Sequence, residues 1–452
     1  MINVQLFFIF LIGFALIYLM IGLWAARSVT TIQNYFLANR NLSVFQLTFA
    51  LIASQLGSGM ILGTAYRAYH IGAWGILYTI GMSLGFMILG CGLASRMRGL
   101  NIATTAEIFE THYGSKRLKM FASLLSVISL WGILIAQIIA SKTLFAGLQI
   151  NNPYIFICCW LFVICYTMLG GLHSIIMVDI AQVSFIITIF IAALWYTIPS
   201  PIDIQSFFTM QSNCFDNNVT LATLAPALLI PTLFALIEQD LAQKFFAAKN
   251  QATATISAFL AGIFLILFSA IPLFFGMLAK TSQLTIPYAA NPLVSTLAFY
   301  CPQVLFLLVM CGIIAAITST ANSLMCAISS NVIQDFQSYF HLQNNKLLLT
   351  KIISATIGIS ALIASFFMYG DIISILEESY RISVVCLLIP TLRAYFGKPT
   401  TAAPAWSSCL MGMAGYSIMH IFPLTPILND LIALGLSLTG YFIAQQITLQ
   451  KK

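Results

Sequence analysis

The chain has 452 residues, of which 60% are hydrophobic and only 7% are charged, and its mean hydropathy is +0.97. A soluble domain carries about 25% charged residues, so this composition excludes a soluble globular protein and makes the bilayer the solvent for most of the chain. The net charge of +7 comes from scattered residues, which argues against a nucleic-acid binder. We expect lipid and a small molecule as its partners.

Each membrane span needs about 20 apolar residues, and the apolar runs between polar breaks give about thirteen spans. They lie near 5–25, 45–66, 71–95, 120–148, 153–171, 174–198, 222–243, 253–279, 298–332, 348–369, 372–391, 402–421 and 426–447. The longest stretch between spans, near 199–221, is predicted to be a loop. The sequence therefore predicts an all-α polytopic membrane protein that forms one domain over residues 1–452.

The charges predict the orientation of the chain. The first apolar run is followed, not preceded, by its first basic residue, Arg27, which is the reverse of a cleaved signal peptide. We expect a retained helix with its N-terminus outside. An odd number of spans then places most basic residues inside, as the positive-inside rule requires. The residues predicted inside are Arg27, Arg40, Arg96, Arg98, Lys116, Arg117, Lys119, Lys244, Lys249, Lys346, Lys351, Arg393, Lys398, Lys451 and Lys452. Those predicted outside are Arg67, Lys142 and Lys280.

The second run contains the segment IASQLGSGMILG at residues 52–63. The triplet Gly57-Ser58-Gly59 predicts a break in the helix, and the polar residues Ser54 and Gln55 lie close before it, separated from it by Leu56. Non-helical backbone at membrane depth is tolerated only where protein or a polar cavity satisfies its N–H and C=O groups. Close helix packing through small residues is the alternative explanation of the glycines, but the polar pair favours a cavity.

The seventh run offers a counterpart to this break. Pro226 and Pro231 are predicted to interrupt it, and Glu238, Gln239 and Asp240 follow. Paired interruptions in corresponding positions of two halves indicate an inverted-repeat transporter with its binding site between them. The repeats would cover 45–198 and 222–391, with an extra helix and loop in 1–44 and two extra helices in 402–452.

The ninth run is rich in small polar residues within the segment CGIIAAITSTANSLMCAISSN. One helical face carries Ala316, Ser319, Thr320 and Ser323, with Thr318 and Asn322 beside it. Serine and threonine in membrane helices often bond back to their own carbonyls, but this density indicates a ligand site. Hydroxyl and carbonyl oxygens suit a small alkali cation, and no His/Cys cluster suggests a transition metal. Asp179, in the sixth run, is an ionisable residue within a span and is therefore a candidate functional residue.

Six segments, in this order, resemble the sodium:solute symporter family, which carries sugars, proline, pantothenate, iodide and similar solutes. They are NYFLANRNL (34–42), ALIASQLGSGMILGTA (50–65), TAEIFETHYGSK (105–116), YTMLGGLHSIIMVDIAQ (166–182), EQDLAQKFFAAKN (238–250) and AAITSTANS (315–323). The resemblance covers nearly the whole chain. It implies a LeuT-type fold with a five-plus-five inverted repeat, one helix before it and two after it, and sodium-coupled alternating access.

The resemblance also implies where sodium binds. The carbonyl groups of Ala53 and Leu56 match two backbone ligands of the family's sodium site. Ala316 supplies a third carbonyl, and Ser319 and Thr320 supply two hydroxyls. Sodium would be the coupling ion, and no organic cofactor is expected.

Some family members hold a second sodium ion. Asp179, Asn322 and Ser323 stand at the matching positions, so the sequence leaves one or two sodium ions open. We expect the transporter to function as a monomer in a cell membrane, which would be the inner membrane if the source is bacterial.

The family pattern also gives candidate residues for the solute site, at Gln55, Gly59, Met60, Thr232, Leu236 and Arg381. Gln55 replaces the aspartate of proline carriers, and Met60 lies near the position of a hydrogen-bonding residue in sugar carriers. Thr232 and Leu236 replace aromatic residues that line the proline site. The solute is therefore expected to be a small polar organic molecule of a class that these departures leave open.

Arg381 lies in the eleventh run, four residues after Glu377 and three after Glu378. A local ion pair on one helix face is one interpretation. The other is that Arg381 faces the cavity and binds a carboxylate of the solute.

Three other functions remain open from the sequence. Proton coupling or uncoupled flux could use titration of Asp179 or Glu238. A membrane sensor could retain a transporter fold. An integral membrane enzyme is disfavoured because the five histidines are dispersed and no nucleophile–base pair is evident.

Overall fold

The computed structural model describes residues 3–29, 31–168, 170–198, 220–284, 286, 290–336, 346–368, 370–422 and 424–450. Most of the predicted 199–221 loop, and Lys451 and Lys452 at the C-terminus, lie outside these ranges. Within them the regular structure is helical, apart from an isolated bridge between Leu42 and Ala248.

The α-helices in these ranges follow one another through the whole chain. They are α1 (Val4–Ala26), α2 (Ile32–Leu37), α3 (Val44–Gln55), α4 (Thr64–Ile71), α5 (Leu77–Ile88), α6 (Ala94–Gly99), α7 (Glu107–Tyr113), α8 (Lys116–Gly147), α9 (Pro153–Thr167), α10 (Gly171–Thr197), α11 (Leu221–Ala235), α12 (Gln239–Phe246), α13 (Gln251–Thr281), α14 (Pro292–Tyr300), α15 (Gln303–Asp335), α16 (Lys346–Ala364), α17 (Ile372–Phe396), α18 (Ala402–Ile421) and α19 (Pro426–Gln450).

Every predicted apolar run contains one or more of these helices. In the part of the chain that the structure describes, nine helical stretches are long and apolar enough to cross a membrane. Large apolar side chains such as Ile12, Trp195 and Leu267 are exposed on the outside of the bundle, where lipid would cover them. The exact count of thirteen spans stays a prediction, because α17 carries several charges and α3 is short.

Two of the predicted spans are interrupted. The first breaks between α3 and a π-helical turn at Gly59–Gly63, and the residues outside the helix are Leu56 and Gly57. The second breaks between α11 and α12, where Glu238 adopts an extended conformation with φ −62° and ψ 123°. Both breaks fall in the runs that the sequence predicted.

The position of the second break differs from the prediction. Pro226 and Pro231 lie inside α11, which continues through both of them. A proline removes one backbone donor, and membrane helices tolerate that loss where neighbouring groups compensate. The ninth run, predicted as one span near 298–332, also contains a helix boundary. Helix α14 ends at Tyr300 and α15 begins only after Pro302.

The packing brings the two interrupted spans together. Helix α3 contacts α12, α13 and α15, and α12 contacts α15 in turn. Helices α8 and α10 pack on α15 from other sides. The two breaks and the polar face of α15 therefore meet within the bundle.

Helix α5 packs closely on α11 at Gly81. A Cβ atom added to Gly81 would lie 2.4 Å from the carbonyl oxygen of Leu228, which is backbone and cannot move aside cheaply. We predict that Gly81→Ala destabilises the fold by about 1–3 kcal/mol, the usual cost of overpacking. The midpoint of thermal unfolding in detergent measures this.

Gly13→Ala is the matched control. Gly13 lies in the exposed helix α1, and nothing approaches its added Cβ within 4 Å. Equal unfolding midpoints for the two variants would contradict the close approach of α5 to α11.

Candidate functional site

The backbone released at the first break has specific partners. The N–H of Ser58 donates to Oε1 of Gln137, on α8, at 2.9 Å. A Cβ added to Gly57 would lie 2.7 Å from Oγ1 of Thr320 and 2.9 Å from Oε1 of Gln137. Gly57 is therefore required because two polar side chains approach the unwound chain. The sequence reading missed Gln137, although a glutamine inside the apolar run ILIAQIIA is a signal that could have found it.

The oxygens predicted for sodium converge across the gap between α3 and α15. The hydroxyl of Ser319 lies 3.3 Å from the carbonyl oxygen of Ala53 and 3.0 Å from that of Ala316. The hydroxyl of Thr320 lies 3.2 Å from each of these two oxygens and 3.2 Å from the carbonyl oxygen of Ser54. Four neutral, hard oxygen atoms thus share one buried location.

Leu56, the fifth predicted ligand, lies in the gap itself. Its own N–H still donates to Ile52 in α3 at 2.8 Å, while its ψ angle of 28° departs from helical geometry. An α-helical carbonyl is committed to the amide four residues later, and here the helix ends before that bond forms. The set of carbonyl and hydroxyl oxygens fits a small alkali cation, whose preferred ligands are hard oxygens.

The three residues predicted for a second sodium ion are engaged differently. Asp179 is 1% exposed, and neither of its carboxylate oxygens has a hydrogen-bond partner among the residues described. Asn322 accepts a hydrogen bond from Thr167 at 2.6 Å and donates one to Tyr166. The hydroxyl of Ser323 faces α12 instead.

A buried ion pair on α12 explains the position of Ser323. Lys244 donates to both carboxylate oxygens of Asp240, at 2.8 and 2.9 Å, and also to the hydroxyls of Ser54 and Ser323. Ser323 in turn donates to Asp240 at 2.5 Å. The ammonium group therefore ties α12 to the end of α3 and to α15.

This position corrects the sequence reading, which assigned Lys244 to an inner loop. Its side chain is fully buried. The prediction failed because it treated Lys244 as a flanking charge and took no account of Asp240, four residues earlier on the same helix face.

Of the solute candidates at the first break, Gln55 contacts the second break. The side-chain amide of Gln55 donates to Oε2 of Glu238 at 3.3 Å. A Cβ added to Gly59 would lie 2.5 Å from Leu376 and 3.0 Å from the hydroxyl of Tyr78, so these groups pack closely against Gly59 and a larger residue would displace them. Met60 is buried next to it. The two breaks are thus joined through one polar contact.

An aromatic wall, formed by Tyr78, Phe234 and Tyr380, borders this contact. The rings of Phe234 and Tyr380 are stacked with centroids 4.3 Å apart. The hydroxyls of Tyr78 and Tyr380 lie 2.8 Å apart, and their rings are nearly parallel. The sequence reading named none of the three, because they come from separate helices.

Thr232 and Leu236 have less direct roles. The hydroxyl of Thr232 donates to the carbonyl oxygens of Leu228, at 2.6 Å, and Gly81, at 2.8 Å, so it joins α11 to α5. Leu236 is buried at the second break.

Arg381 forms ion pairs, which was one of the two interpretations of its position. It pairs with Glu378 on α17, and its Nε lies 3.1 Å from Oδ1 of Asp430 on α19. Glu377 pairs instead with Arg67, at 2.8 Å. Because two carboxylates hold the guanidinium, we remove Arg381 from the candidate solute residues. The missing information was Asp430, which is distant in sequence.

Comparison with known proteins agrees with this architecture. The model of the sodium:solute symporter family matches residues 35–412. A Na⁺-coupled sialic acid symporter, solved substrate-bound and outward-open, superposes with a TM-score of 0.82 at 17% identity, covering 98% of this chain and 97% of that one. MHP1, a nucleobase-cation-symport-1 family transporter, gives a TM-score of 0.62 at 14% identity, covering 94% of this chain and 97% of its own. A manganese transporter from Eremococcus coleocola gives a TM-score of 0.56 at 14% identity, covering 90% of this chain and 94% of that one.

The interrupted helices and the shared fold define a LeuT-type secondary transporter. The chain belongs to the sodium:solute symporter family. It is a multi-pass membrane protein that couples solute transport to sodium, and it is a transporter rather than an enzyme.

Arg381→Gln tests the role of the ion pairs. The change leaves the buried Asp430 without its cation, so we predict a loss of at least about 1–3 kcal/mol of stability, with unchanged sodium and solute affinity. Thermal unfolding and uptake kinetics measure the two effects. Asp430→Asn in the same chain should restore part of the stability.

Arg117→Gln, at an exposed position on α8, is the matched control and should change neither property. A variant Arg381→Gln that keeps its stability and loses solute affinity would return Arg381 to the solute site.

Proposed function

We propose that one sodium ion binds between the carbonyl oxygens of Ala53, Leu56 and Ala316 and the hydroxyls of Ser319 and Thr320. The observation that carries this proposal is the convergence of four of these oxygens across the gap. The two hydroxyl oxygens lie 3.0–3.3 Å from the carbonyl oxygens of Ala53 and Ala316. The fifth, from Leu56, lies in the unwound segment. An ion that joins α3 to α15 would fix the relative position of these helices.

The chain would use this ion to import a small polar organic solute by alternating access. Sodium can favour the outward-open state only through a higher affinity for it. An inward-negative membrane potential adds about 2.3 kcal/mol per charge per 100 mV to the driving force. The solute would bind beside the ion, between Gln55, Gly59 and Glu238, so that both broken helices contact it.

A single sodium ion is our proposal. Asp179 offers two unpartnered carboxylate oxygens, which favours a nearby cation. Asn322, however, is bonded to Thr167, and Ser323 to Asp240. A second ion at this place would have to displace these contacts and share the region with the ammonium of Lys244.

The remaining proposals concern arrangement. The repeats would cover 45–198 and 222–391, with 1–44 before them and 402–452 after them. The transporter would act as a monomer in a cell membrane, with its N-terminus outside and its C-terminus cytoplasmic. The inner membrane is the location if the source is bacterial.

Thr320→Ala tests the sodium site. Removing one hydroxyl ligand should raise the sodium concentration for half-maximal uptake by about tenfold or more, since a lost charge-assisted contact costs about 1.5–3 kcal/mol. Thr320→Ser keeps the oxygen and should be nearly silent. Sodium titration of uptake in proteoliposomes measures both.

Ser329→Ala is the matched control on the same helix, because the Ser329 hydroxyl donates only to carbonyls of α15 in the described structure. Unchanged sodium dependence in Thr320→Ala would place the ion elsewhere and favour close packing as the reason for the glycines.

The orientation is tested with a reporter fused after Lys452. We predict that a cytoplasmic reporter such as green fluorescent protein is active there and that alkaline phosphatase, which needs an oxidising exterior, is not. The opposite pattern would contradict the cytoplasmic C-terminus and, with the N-terminus outside, would require an even number of spans.

A further inference from the structure

The centre of the bundle holds more negative than positive charge. Asp179, Glu238 and Asp240 are all buried, and Lys244 is the basic residue that the described structure places among them. Lys244 and Asp240 lie within electrostatic reach of both Asp179 and Glu238. If all four groups are ionised, three carboxylates and one ammonium leave two negative charges, and because uncompensated charge is costly at membrane depth each of these two needs a cation or a proton.

One sodium ion neutralises only one of these charges. The proposed ion is bound by neutral oxygens of α3 and α15, next to Ser54, which also accepts a hydrogen bond from Lys244. One negative charge remains, and Asp240 already has a direct ionic partner. The remaining charge therefore belongs to Asp179 or to Glu238.

Glu238 is the acid that lies in the proposed solute site. It is 4% exposed and begins α12 directly after the second break. In the described structure its carboxylate accepts a hydrogen bond from the side-chain amide of Gln55 at 3.3 Å. This donor is neutral and the hydrogen bond is long. A buried carboxylate usually has an ionic partner or several strong donors. Glu238 has neither, and it stands at the meeting point of the two broken helices.

The aromatic wall faces the same region. Phe234 is one helical turn before Glu238, and its carbonyl oxygen accepts the Glu238 N–H at 2.9 Å. Glu238 also lies within electrostatic reach of Tyr78 and Tyr380. Uncovered aromatic ring faces beside a carboxylate form the surroundings in which proteins bind ammonium groups, since a ring face attracts a cation. Phe234 and Tyr380 cover one face of each other, so an ammonium group would bind at their remaining faces.

The approach from the outer side carries an excess of acid as well. Arg67 lies between Glu377, at 2.8 Å, and Asp371, at 3.6 Å, so that cluster has one more carboxylate than it has bases. Glu377 acts electrostatically on both Tyr78 and Tyr380. A cation that approaches the aromatic wall would meet a favourable potential before it reaches Glu238.

We propose that the transported solute carries a positively charged nitrogen, as an amine or a quaternary ammonium group, which binds Glu238 against the rings of Tyr78, Phe234 and Tyr380. This proposal rests on the proposed sodium-coupled function of the same site. Gln55 then positions the carboxylate, and one sodium ion with one such solute neutralises the buried excess of charge.

The first experiment uses the unmodified protein and pairs of molecules that differ in charge. The pairs are choline with 3,3-dimethylbutan-1-ol, butane-1,4-diamine with butane-1,4-diol, and L-proline with cyclopentanecarboxylate. Thermal unfolding is followed in NaCl and in KCl at equal ionic strength. We expect at least one nitrogen-bearing member to raise the unfolding midpoint in sodium, and its partner to have no effect.

The second experiment compares Glu238→Gln with Glu110→Gln, a carboxylate that pairs with Lys119 outside the site. The glutamine keeps the size and loses the charge. The dissociation constant of the Glu238→Gln variant for the solute that stabilises the unmodified protein should rise at least about 30-fold, while stabilisation by sodium alone persists. Glu110→Gln should leave both unchanged.

The outcomes separate the two proposals. Absence of stabilisation by sodium in the unmodified protein contradicts the sodium site itself. If sodium stabilises the protein but the uncharged or anionic control molecules also raise its unfolding midpoint, the proposed solute class is wrong. The same conclusion follows if none of the nitrogen-bearing molecules raises the midpoint. If Glu238→Gln is unstable, the proposal is tested by the first experiment alone, in which molecules that differ in charge are compared on the unmodified protein. An unchanged affinity in a stable Glu238→Gln also overturns the assignment.

Discussion

The approach of Thr320 to the unwound backbone after α3 is the contact on which the rest of the site depends. The hydroxyl lies 3.2 Å from the carbonyl oxygen of Ala53, and it leaves no room for a Cβ at Gly57. A released carbonyl inside a membrane protein needs a partner. At this place the partner comes from another helix, so the break and the polar face of α15 require each other. An ion ligated by both sides would strengthen a link that the protein already makes.

The second broken helix is held by a buried ion pair whose ammonium also donates to hydroxyl groups of the neighbouring helices. Lys244 reaches from α12 to Ser54 and Ser323, and Asp240 holds the ammonium in place. Glu238, two residues before Asp240, lies at the break and is not among the groups that the ammonium contacts in the described structure. The ion pair therefore serves as a scaffold, while Glu238 stays available to a ligand. The proposed sodium and solute sites would be adjacent because α12 contacts both α3 and α15.

Much of this arrangement could be predicted from the sequence because its physical signals are local. Apolar runs predict helices, and the triplet Gly57-Ser58-Gly59 close to Ser54 and Gln55 predicts a break within one. The family resemblance supplied five expected sodium ligands, and the structure brings the oxygens of four of these residues together. Serine and threonine at helical spacing also predicted the polar face of α15.

The other features depend on contacts between residues distant in sequence. Gln137 satisfies the N–H of Ser58 from α8, and Asp430 holds Arg381 from α19. A glutamine within an apolar run marks Gln137 as unusual, but no local pattern identifies Ser58 as its partner or Asp430 as the partner of Arg381. The prolines of α11 misled the prediction because loss of one donor is tolerated when the surroundings compensate. Lys244 was misassigned because burial of a lysine depends on tertiary contacts.

Hydrogen–deuterium exchange of the purified protein, in sodium and in potassium at equal ionic strength and without solute, tests the central claim most directly. The account predicts that sodium slows exchange in residues 53–60 and 316–323 together, because one ion joins both segments, and that Thr320→Ala weakens both effects. Protection that appears around Asp179 instead, or no difference between the two salts in these segments, would contradict it.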